Sequence, residues 1–512
     1  MAKKSIFVNR FQTGESLAHG YCIRRATVKT GIQEGSSMYP GGGWKQASHA
    51  AGTGRSGGLG RNVAAVLRRS SVWLAVILGV SAGVGCVEWI QAVEASSVTL
   101  TVFVGFGTGN SPEQIGPQDE VARAFEARHP GVKVDIQHVD WAVHNAKFAA
   151  ALAGGKPYDM ALPIGLRGFH EFSLDNVWMP IDELLERDKV DLSEYSQDLI
   201  NLTKWQGKSY GIPFDYYTDA LFYNVDLFDQ AGLAPPPSRW DTPDWTWQAL
   251  LEKARKLTRD IDGDGRIDQW GLETVGNMEA FEMSFGARQL SPDNRKVLLT
   301  TPEMLAAYRF WQRLFWEEHV SWNITDDVSA ITQSWPFFMS GKIGMSVLTS
   351  YNLKDMQLVG DRFRWNVAAK PRGPAGVKPL IYVDSFAIVA ASPNRDLAWE
   401  FAKFILQPEI STKLSLAYGG IPATRSGVTA FLAMAGRELP KVDLKVFLEA
   451  TRYGVNVEPW EPPYLVTLRD NFRGKIQRRE VSPEAGLEEA QAKMQNAVDR
   501  FWRTYEAKKQ KK

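Results

Sequence analysis

A carboxylate and two phenol rings stand side by side at Asp215, Tyr216 and Tyr217, shortly after Pro213. Sugars have apolar ring faces and many hydroxyl groups, so a protein that binds them needs flat aromatic surfaces together with polar partners. Each polar group left unpaired in a closed cleft costs about 1–3 kcal/mol. The triplet offers both kinds of group, and we predict that it contacts a small polar solute. The alternative is that the two tyrosines only pack into the protein on either side.

Aromatic and basic side chains near the ends of other predicted strands are further candidates for contact with a solute. The chain has 18 tryptophans; most must fill the core, but a few can line a pocket for a flat ligand. Trp141 follows a predicted strand, and Trp335 directly precedes a proline. Arg167 follows the strand predicted to begin at Tyr158, where it can bind hydroxyls or a phosphate, or else lie in solvent.

One acidic loop has the spacing of a calcium site. Carboxylates occupy relative positions 1, 3, 5 and 9 and a glycine occupies position 6, the carboxylates being those of Asp260, Asp262, Asp264 and Asp268. Alternate oxygens can then turn inward around a cation while the glycine permits the sharp turn. Position 12 is Gly271 instead of the usual glutamate, and Glu273 comes two residues late. We predict a structural calcium ion here, with an empty Asp/Gly turn as the alternative.

The sequence lacks the motifs of common enzyme classes. There is no nucleophile elbow, no zinc-ligand spacing and no phosphate-binding loop, and adjacent carboxylates such as Glu317 and Glu318 are typical of a solvated helix face. The two cysteines, Cys22 and Cys86, both precede residue 97, which excludes a thiolate site in the remainder. We therefore predict a binding protein that needs no cofactor. A glycoside-processing enzyme remains the remote alternative.

Residues 1–96 differ in composition from the rest of the chain, with 11 Lys and Arg against 4 Asp and Glu. The apolar run at 72–87 follows two arginines and is short for a membrane span, as in a secretory signal. Small residues before Ser96 suit cleavage there. We predict a basic, disordered leader plus a signal segment, and an exported protein that is periplasmic or on the cell surface. Anchoring through 72–87 and lipidation at Cys86 are the alternatives.

Strands alternate with helices in the remaining sequence. Residues 98–104 and 132–136 are β-branched and alternate in polarity, and helical periodicity over 118–129 and 143–153 separates predicted strands. Residues 342–348 and 386–390 read as further strands, and 483–505 as a long helix with mixed charge. This order predicts an α/β fold with a mostly parallel sheet.

Several stretches together resemble the bacterial extracellular solute-binding proteins of family 1, which include maltose-binding proteins. The similarity covers roughly residues 97–505, and its order and spacing make it specific. The matching stretches are VFVGFGTG at 102–109, FEARHPGVKV at 125–134, KFAAALAGGKPYD at 147–159, YGIPFDYYTDALFYN at 210–224, FMSGKIGM at 338–345 and GGIPATR at 419–425.

The resemblance implies a two-lobed periplasmic-binding-protein fold of type II, whose lobes are joined by about three crossover segments and close over a ligand by a hinge. The crossings are expected near 213–217, 380–385 and 421–427. Lobe 1 then comprises 97–213 and 385–424, lobe 2 comprises 214–384 and 425–505, and 506–512 is a basic tail.

Three further site residues follow from the resemblance. An aromatic residue near the position of Tyr351 often stacks on the ligand in this family. Phe106 occupies a loop where relatives often place a tryptophan, and Asp384 lies at the second crossing. We add all three to the predicted ligand contacts.

The same resemblance implies the partners. The chain is expected to deliver its solute, a mono- or oligosaccharide, to the permease subunits of an ABC importer, and to act as a monomer. Glycerol phosphate or another polyol or cationic solute is the alternative. The net charge of +1 gives no general attraction for nucleic acid.

Overall fold

The fold is taken from a computed structural model, which describes residues 97–140, 143–173, 176–329, 331–334, 336–456 and 464–510. The strands are β1 (Val98–Val104), β2 (Val132–His138), β3 (Met160–Gly165), β4 (Lys204–Trp205), β5 (Lys208–Ser209), β6 (Asp215–Asn224), β7 (Trp270–Leu272), β8 (Ile343–Thr349), β9 (Trp365–Ala368), β10 (Ile381–Ile388) and β11 (Ile421–Pro422).

The α-helices are α1 (Pro112–Arg128), α2 (His144–Ala153), α3 (Leu166–Ser173), α4 (Asp182–Arg187), α5 (Gln197–Leu202), α6 (Val225–Gln230), α7 (Trp247–Leu257), α8 (Met278–Ser284), α9 (Pro302–Trp316), α10 (Leu353–Met356), α11 (Arg395–Ile405), α12 (Pro408–Tyr418), α13 (Arg425–Glu438), α14 (Lys445–Ala450), α15 (Tyr464–Gln477) and α16 (Pro483–Gln510). None of the helices in this described part of the chain is long and apolar enough to cross a bilayer.

The first strands form a parallel sheet. β1 pairs with β2 in register from Val98 opposite Val132 to Val104 opposite His138, and pairs on its other side with β3. Parallel neighbours require a crossover, which α1 supplies between β1 and β2. α1 begins with Ser111 as its N-cap and a proline in its first turn, two features that favour a helix start.

β6 is shared between two groups of strands, and all ten of its residues are buried. Its first four residues pair with β10, whereas the segment from Asp219 to Asn224 pairs with β8 and β9. The order of strands is therefore β2-β1-β3-β10-β6-β8-β7, with β9 and β11 also paired to β6. A strand that changes neighbours midway carries the chain from one lobe into the other.

β10 makes a second passage. Its first half pairs with β6 and its second half with β3, and Asp384 is the residue that pairs on both sides, with Asp215 and Gly165. The short β11 adds to β6 at Asp215 and Tyr216. These pairings lie at the three expected crossings, and the predicted two-lobed α/β fold is confirmed. The prediction of a mostly parallel sheet is wrong: the sheet is mixed, because β8, β9, β10 and β11 all pair antiparallel to β6. The residue bounds of each lobe stay predictions.

β10 begins five residues before the strand that the sequence predicts at 386–390, and it ends two residues earlier. The apolar run marks only the segment buried beside β3. The preceding residues are extended because they pair with β6, a partner more than 160 positions earlier in the chain.

A buried ion pair joins β6 to the segment that follows β9. Lys370 Nζ lies 2.7 Å from Asp219 Oδ2, and both side chains are almost fully buried. The other carboxylate oxygen of Asp219 accepts a 2.8 Å hydrogen bond from the backbone N–H of Leu380, just before β10. Asp219 on β6 therefore binds both Leu380, the residue before β10, and Lys370, which follows β9.

We predict that Lys370→Met destabilises the protein by about 3–5 kcal/mol, because it leaves the Asp219 carboxylate buried without its counter-charge. The double variant Asp219→Asn, Lys370→Met removes both charges and should recover most of that loss. Urea unfolding followed by circular dichroism measures both. Equal free energies of unfolding for Lys370→Met and the wild type would contradict this role.

Candidate functional site

Asp215 and Asp384 lie directly opposite each other on the two crossing strands. Residues opposite in an antiparallel pair project from the same face of the sheet, so the two carboxylates share one small volume. Asp215 is 0% and Asp384 5% exposed. The backbone N–H of Asp384 donates to Asp215 Oδ1 at 3.2 Å.

Hydroxyl groups surround the two carboxylates. Thr108 Oγ1 donates to Asp384 Oδ2 at 2.7 Å. The Tyr217 hydroxyl lies 3.4 Å from Asp215 Oδ2, 3.4 Å from Asp384 Oδ2 and 3.5 Å from the carbonyl oxygen of Tyr418. These distances exceed the 2.7–2.8 Å of a usual hydroxyl hydrogen bond, so Tyr217 is held loosely among several acceptors. We call Asp215, Asp384, Tyr217, Thr108 and Tyr418 the hinge cluster.

The hinge cluster changes the acidity of its members. Burial raises the pKa of Asp384 to about 6, although the hydrogen bonds from Thr108 and Tyr217 oppose the rise. Burial, and then the charge of Asp384, raise the pKa of Asp215 well above its ordinary value. Burial also raises the pKa values of Tyr217 and Tyr418, which therefore stay protonated donors. The pair holds protons more strongly than exposed carboxyls do.

Two glycines let loops lie directly on the carboxylates. A Cβ on Gly107 would come 2.8 Å from Asp384 Oδ1, and a Cβ on Gly420 would come 2.5 Å from Asp215 Oδ2. Either side chain would force the loop away. The glycines of the GFGTG and GGIPATR stretches therefore have a steric reason to be there.

Tyr351 lies beside the cluster. It follows β8 in a one-turn 3₁₀ helix (Ser350–Asn352), and the edge of its ring meets Tyr217 with the ring centroids 6.3 Å apart. Lys354 places its ammonium over the Tyr351 ring, 3.9 Å from the centroid, and donates to the Tyr351 hydroxyl at 2.5 Å. Tyr351 is partly exposed, so it keeps aromatic surface that a solute can contact.

The structure thus brings together Asp215, Tyr217 and Asp384, with Tyr351 next to them. Tyr216 points to the other face of β6 and is buried in the apolar core. Phe106 is 3% exposed and packs in an aromatic cluster with Phe103, Phe148, Phe172 and Trp178. Both side chains therefore support the sheet in this structure instead of offering a free face.

Three predicted contacts cannot be placed. Trp141 and Trp335 lie outside the described residues, and so does the side chain of Arg167, whose backbone is in α3. Conversely, Thr108 and Tyr418 belong to the hinge cluster but are absent from the predicted contacts. Thr108 lies within the VFVGFGTG stretch, and Tyr418 directly precedes the GGIPATR stretch. Their positions at these two family-like stretches are the signal that could have identified them.

The acidic loop between α7 and β7 brings three of its four carboxylates together. Ligand oxygens of Asp260, Asp262 and Asp268 come within 4.8 Å of one another. Asp264 is not in this group, and its Oδ1 accepts from the N–H of Arg266 at 2.8 Å. The late Glu273 is buried elsewhere, where it accepts from the backbone N–H of Phe338 at 2.8 Å, and burial raises its pKa to about 7.

A separate small cavity is lined by Phe169, Trp178, Leu202, Thr203, Lys204, Trp205 and Tyr210. Its volume is about 10 Å³, which accommodates roughly one water molecule. The cavity is too small for a sugar ring, so it is not a candidate for the solute site.

The raised pKa values of Asp215 and Asp384 predict that the stability of the protein depends on pH. The folded pKa of Asp384 lies above its unfolded value of 3.8, so the folded state binds more protons and stability falls as pH rises from about 4 to 6. At 1.36 kcal/mol per pKa unit the loss is about 3 kcal/mol.

We expect Asp384→Asn to remove the part of this dependence that Asp384 contributes, leaving the part due to buried Asp215, and to melt at least as high as the wild type at pH 8. Melting temperatures at pH 4 to 8 measure it, with the exposed Asp361→Asn as a control that keeps the wild-type profile. Parallel profiles for Asp384→Asn and the wild type would rule out the raised pKa.

Comparisons with known proteins give the same fold. The chain is 25% identical over 420 residues to a binding protein of Brucella abortus, covering 81% of this chain and 96% of that one. The sugar-binding protein MalE from Xanthomonas citri superposes with a TM-score of 0.65 at 19% identity, covering 80% of this chain and 99% of that one.

A substrate-binding protein of Listeria monocytogenes, solved in complex with cycloalternan, superposes with a TM-score of 0.64 at 20% identity, covering 79% of this chain and 99% of that one. The family model described as bacterial extracellular solute-binding protein matches residues 110–411, more than half of the chain. Together with a hinge cluster built on the strands shared by two lobes, that match identifies this protein as a member of the bacterial extracellular solute-binding protein family, whose members bind substrates and are not enzymes.

Proposed function

We propose that this protein is the exported, substrate-binding component of an ABC importer and that it binds a mono- or oligosaccharide between its lobes. The observation that carries the proposal is the position of Asp215, Tyr217 and Asp384 on the strands that both lobes share. A solute bound there touches the hinge itself, so that binding and closure of the lobes are coupled.

The chemistry of the cluster supports a hydroxyl-rich solute. Carboxylate oxygens accept hydrogen bonds from sugar hydroxyls, and such charge-assisted bonds are stronger than neutral ones. The partly exposed Tyr351 ring offers an apolar surface for the face of a sugar ring. Relatives of the same fold support the choice, since one was solved with cycloalternan and another is named a sugar-binding protein.

Glycerol phosphate is less well supported as the solute. A phosphate needs arginine, lysine or clustered N–H donors, whereas the hinge cluster presents two carboxylates that would repel it. Among the described residues near the cluster, Lys354 is already engaged with Tyr351. A cationic solute meets no such repulsion.

Membership in the family supports the proposed export and delivery to permease subunits. The predicted signal segment at 72–87 and the lipidation alternative at Cys86 lie outside the described residues and stay predictions. We propose a monomer that docks on its permease through surface charges, which makes the docking sensitive to salt.

Titration with a panel of sugars tests the proposed function. We expect at least one mono- or oligosaccharide to change the tryptophan fluorescence at micromolar concentration, and Tyr351→Ala to weaken that sugar about tenfold or more because the ring surface is lost. Tyr505→Ala, a partly exposed tyrosine on α16 that contacts Trp502, is the matched control. Failure of every sugar, polyol and phosphate tested to bind would overturn the proposal.

We also propose that the acidic loop binds a structural calcium ion through Asp260, Asp262 and Asp268. The support is the convergence of their oxygens and the spacing of a calcium loop. The loop joins α7 to β7, so the ion would stabilise the connection between them without touching the hinge cluster.

Calcium should therefore raise the melting temperature of the wild type, since a ligand at a hundred times its Kd adds about 2.7 kcal/mol. Asp262→Ala should abolish the rise, whereas Asp264→Ala, outside the converging group, should retain most of it. Magnesium at the same concentration is the ionic control. Identical melting curves with calcium and with a chelator would exclude the site.

A further inference from the structure

The hinge cluster contains two acidic groups without a basic partner. Among the described residues, no lysine, arginine or histidine forms an ion pair with Asp215 or Asp384, and no basic group is among the causes of their pKa shifts. Four positions further along β6, Asp219 is neutralised by Lys370 at 2.7 Å, and buried Glu282 lies 3.0 Å from Arg473. The described part of the chain therefore supplies counter-charges at Asp219 and Glu282 and none at Asp215 or Asp384.

A second observation points to a missing group at the same place. The hydroxyl of Tyr418, at the end of α12, is fully buried and has no hydrogen-bond partner among the described residues. Burial, and then the charges of Asp384 and Asp215, raise its pKa, and the carbonyl oxygen of the same residue lies 3.5 Å from the Tyr217 hydroxyl. A buried hydroxyl without a partner costs about 1–3 kcal/mol, a cost that a bound polar group can remove.

We propose that the hinge cluster selects a solute with a protonated amino group, such as an amino sugar, over its neutral and anionic counterparts. The inference rests on the proposed function and assigns the substrate class of the same site. Asp215 and Asp384 would be the residues that determine this specificity.

An ammonium group matches the cluster in charge and in donors. It has three N–H donors and no acceptor, and the cluster presents carboxylate, hydroxyl and carbonyl oxygens. A sugar hydroxyl in the same place donates only one hydrogen bond and brings no charge. A phosphate meets two acidic groups and no basic donor among the described residues. The expected order of affinity is therefore amine, then neutral sugar, then sugar phosphate.

The route to the cluster is the side where Tyr217 meets Tyr351. Tyr217 is 7% exposed, and the loops at Gly107 and Gly420 cover the carboxylates on other sides. Tyr217 links the two groups, since its ring meets Tyr351 and its hydroxyl lies 3.4 Å from each carboxylate, so an amino group on a ring stacked on Tyr351 would approach the carboxylates along Tyr217.

The titratable groups that face the carboxylates set the pH dependence of amine binding. They are Tyr217 on β6 and Tyr418 on α12, both of which stay neutral, with Tyr351 and Lys354 beyond them. Thr108 donates from the loop after β1 and does not titrate. Because an ammonium binds the ionised carboxylates, amine binding should release a proton and strengthen as pH rises from 5 to 7.

Fluorescence titration of the whole protein with matched solutes tests the proposal. The pairs are glucose with glucosamine, galactose with galactosamine and cellobiose with the glucosamine dimer of the same linkage. N-acetylglucosamine keeps the nitrogen without the charge, and glucose 6-phosphate is the anionic probe. We expect at least one amine to bind about tenfold or more tightly than its neutral and N-acetylated counterparts, and glucose 6-phosphate to bind weakest.

Variants at the cluster separate charge recognition from folding. Asp384→Asn and Asp215→Asn should each weaken the amine about tenfold or more beyond any loss for the neutral sugar, because only the amine loses an opposite charge, and each should flatten the pH dependence. Thr108→Val leaves both carboxylates in place and should have a smaller effect in the same direction. Asp361→Asn, an exposed carboxylate, is the control, and melting curves confirm that each variant is folded.

The outcomes are distinguishable. A neutral sugar that binds as tightly as its amine, or an amine preference that survives in folded Asp384→Asn and Asp215→Asn, overturns this inference and leaves the proposed function intact. Binding of no carbohydrate in either form overturns both.

Discussion

The pairing of β6 with β10 is the constraint on which the rest of the structure depends. Each strand belongs to both lobes, and the four residue pairs between them are the place where the two sheets become one. Side chains at this junction are attached to strands that pair with each other and with the strands on both sides. A solute bound there would contact both lobes at the same time.

The same pairing places two carboxylates where electrostatics disfavours them. Like charges directly opposite in an antiparallel pair are destabilising, and burial adds to the cost. A fold optimised only for stability would have an apolar pair or an ion pair at these positions, as it has at Asp219 and Lys370. Strain of this kind, located at the hinge and surrounded by hydroxyls, is characteristic of a site that a ligand completes.

Much of this arrangement could be predicted from the sequence. The alternation of residues 98–104 and the order of strands and helices indicated the fold class, and the family-like stretches indicated the crossings. Asp215 and Tyr217 were identifiable because a carboxylate and phenol rings stand together shortly after Pro213, and Asp384 because the resemblance places it at the second crossing. The sequence could not show whether Phe106 is a core residue or a ligand contact, because an aromatic residue in a glycine-rich loop suits both roles equally well. Thr108 bonds to Asp384, which is 276 positions later, and Tyr217 bonds to Tyr418, which is 201 positions later. Local sequence patterns do not predict contacts between residues so far apart in the chain.

The separation between the crossing strands also bears on how the chain folds. The backbone of Asp384 bonds to a side chain 169 positions earlier, and Gln114 on α1 bonds to the carbonyl of Tyr418, 304 positions later. The sheet that begins at Val98 therefore stays incomplete until most of the chain has been synthesised. Folding rates fall as contacting residues lie further apart in sequence, so this topology delays the native state. For the exported protein that we propose, slow formation of the last strands would keep the chain unfolded for longer during export.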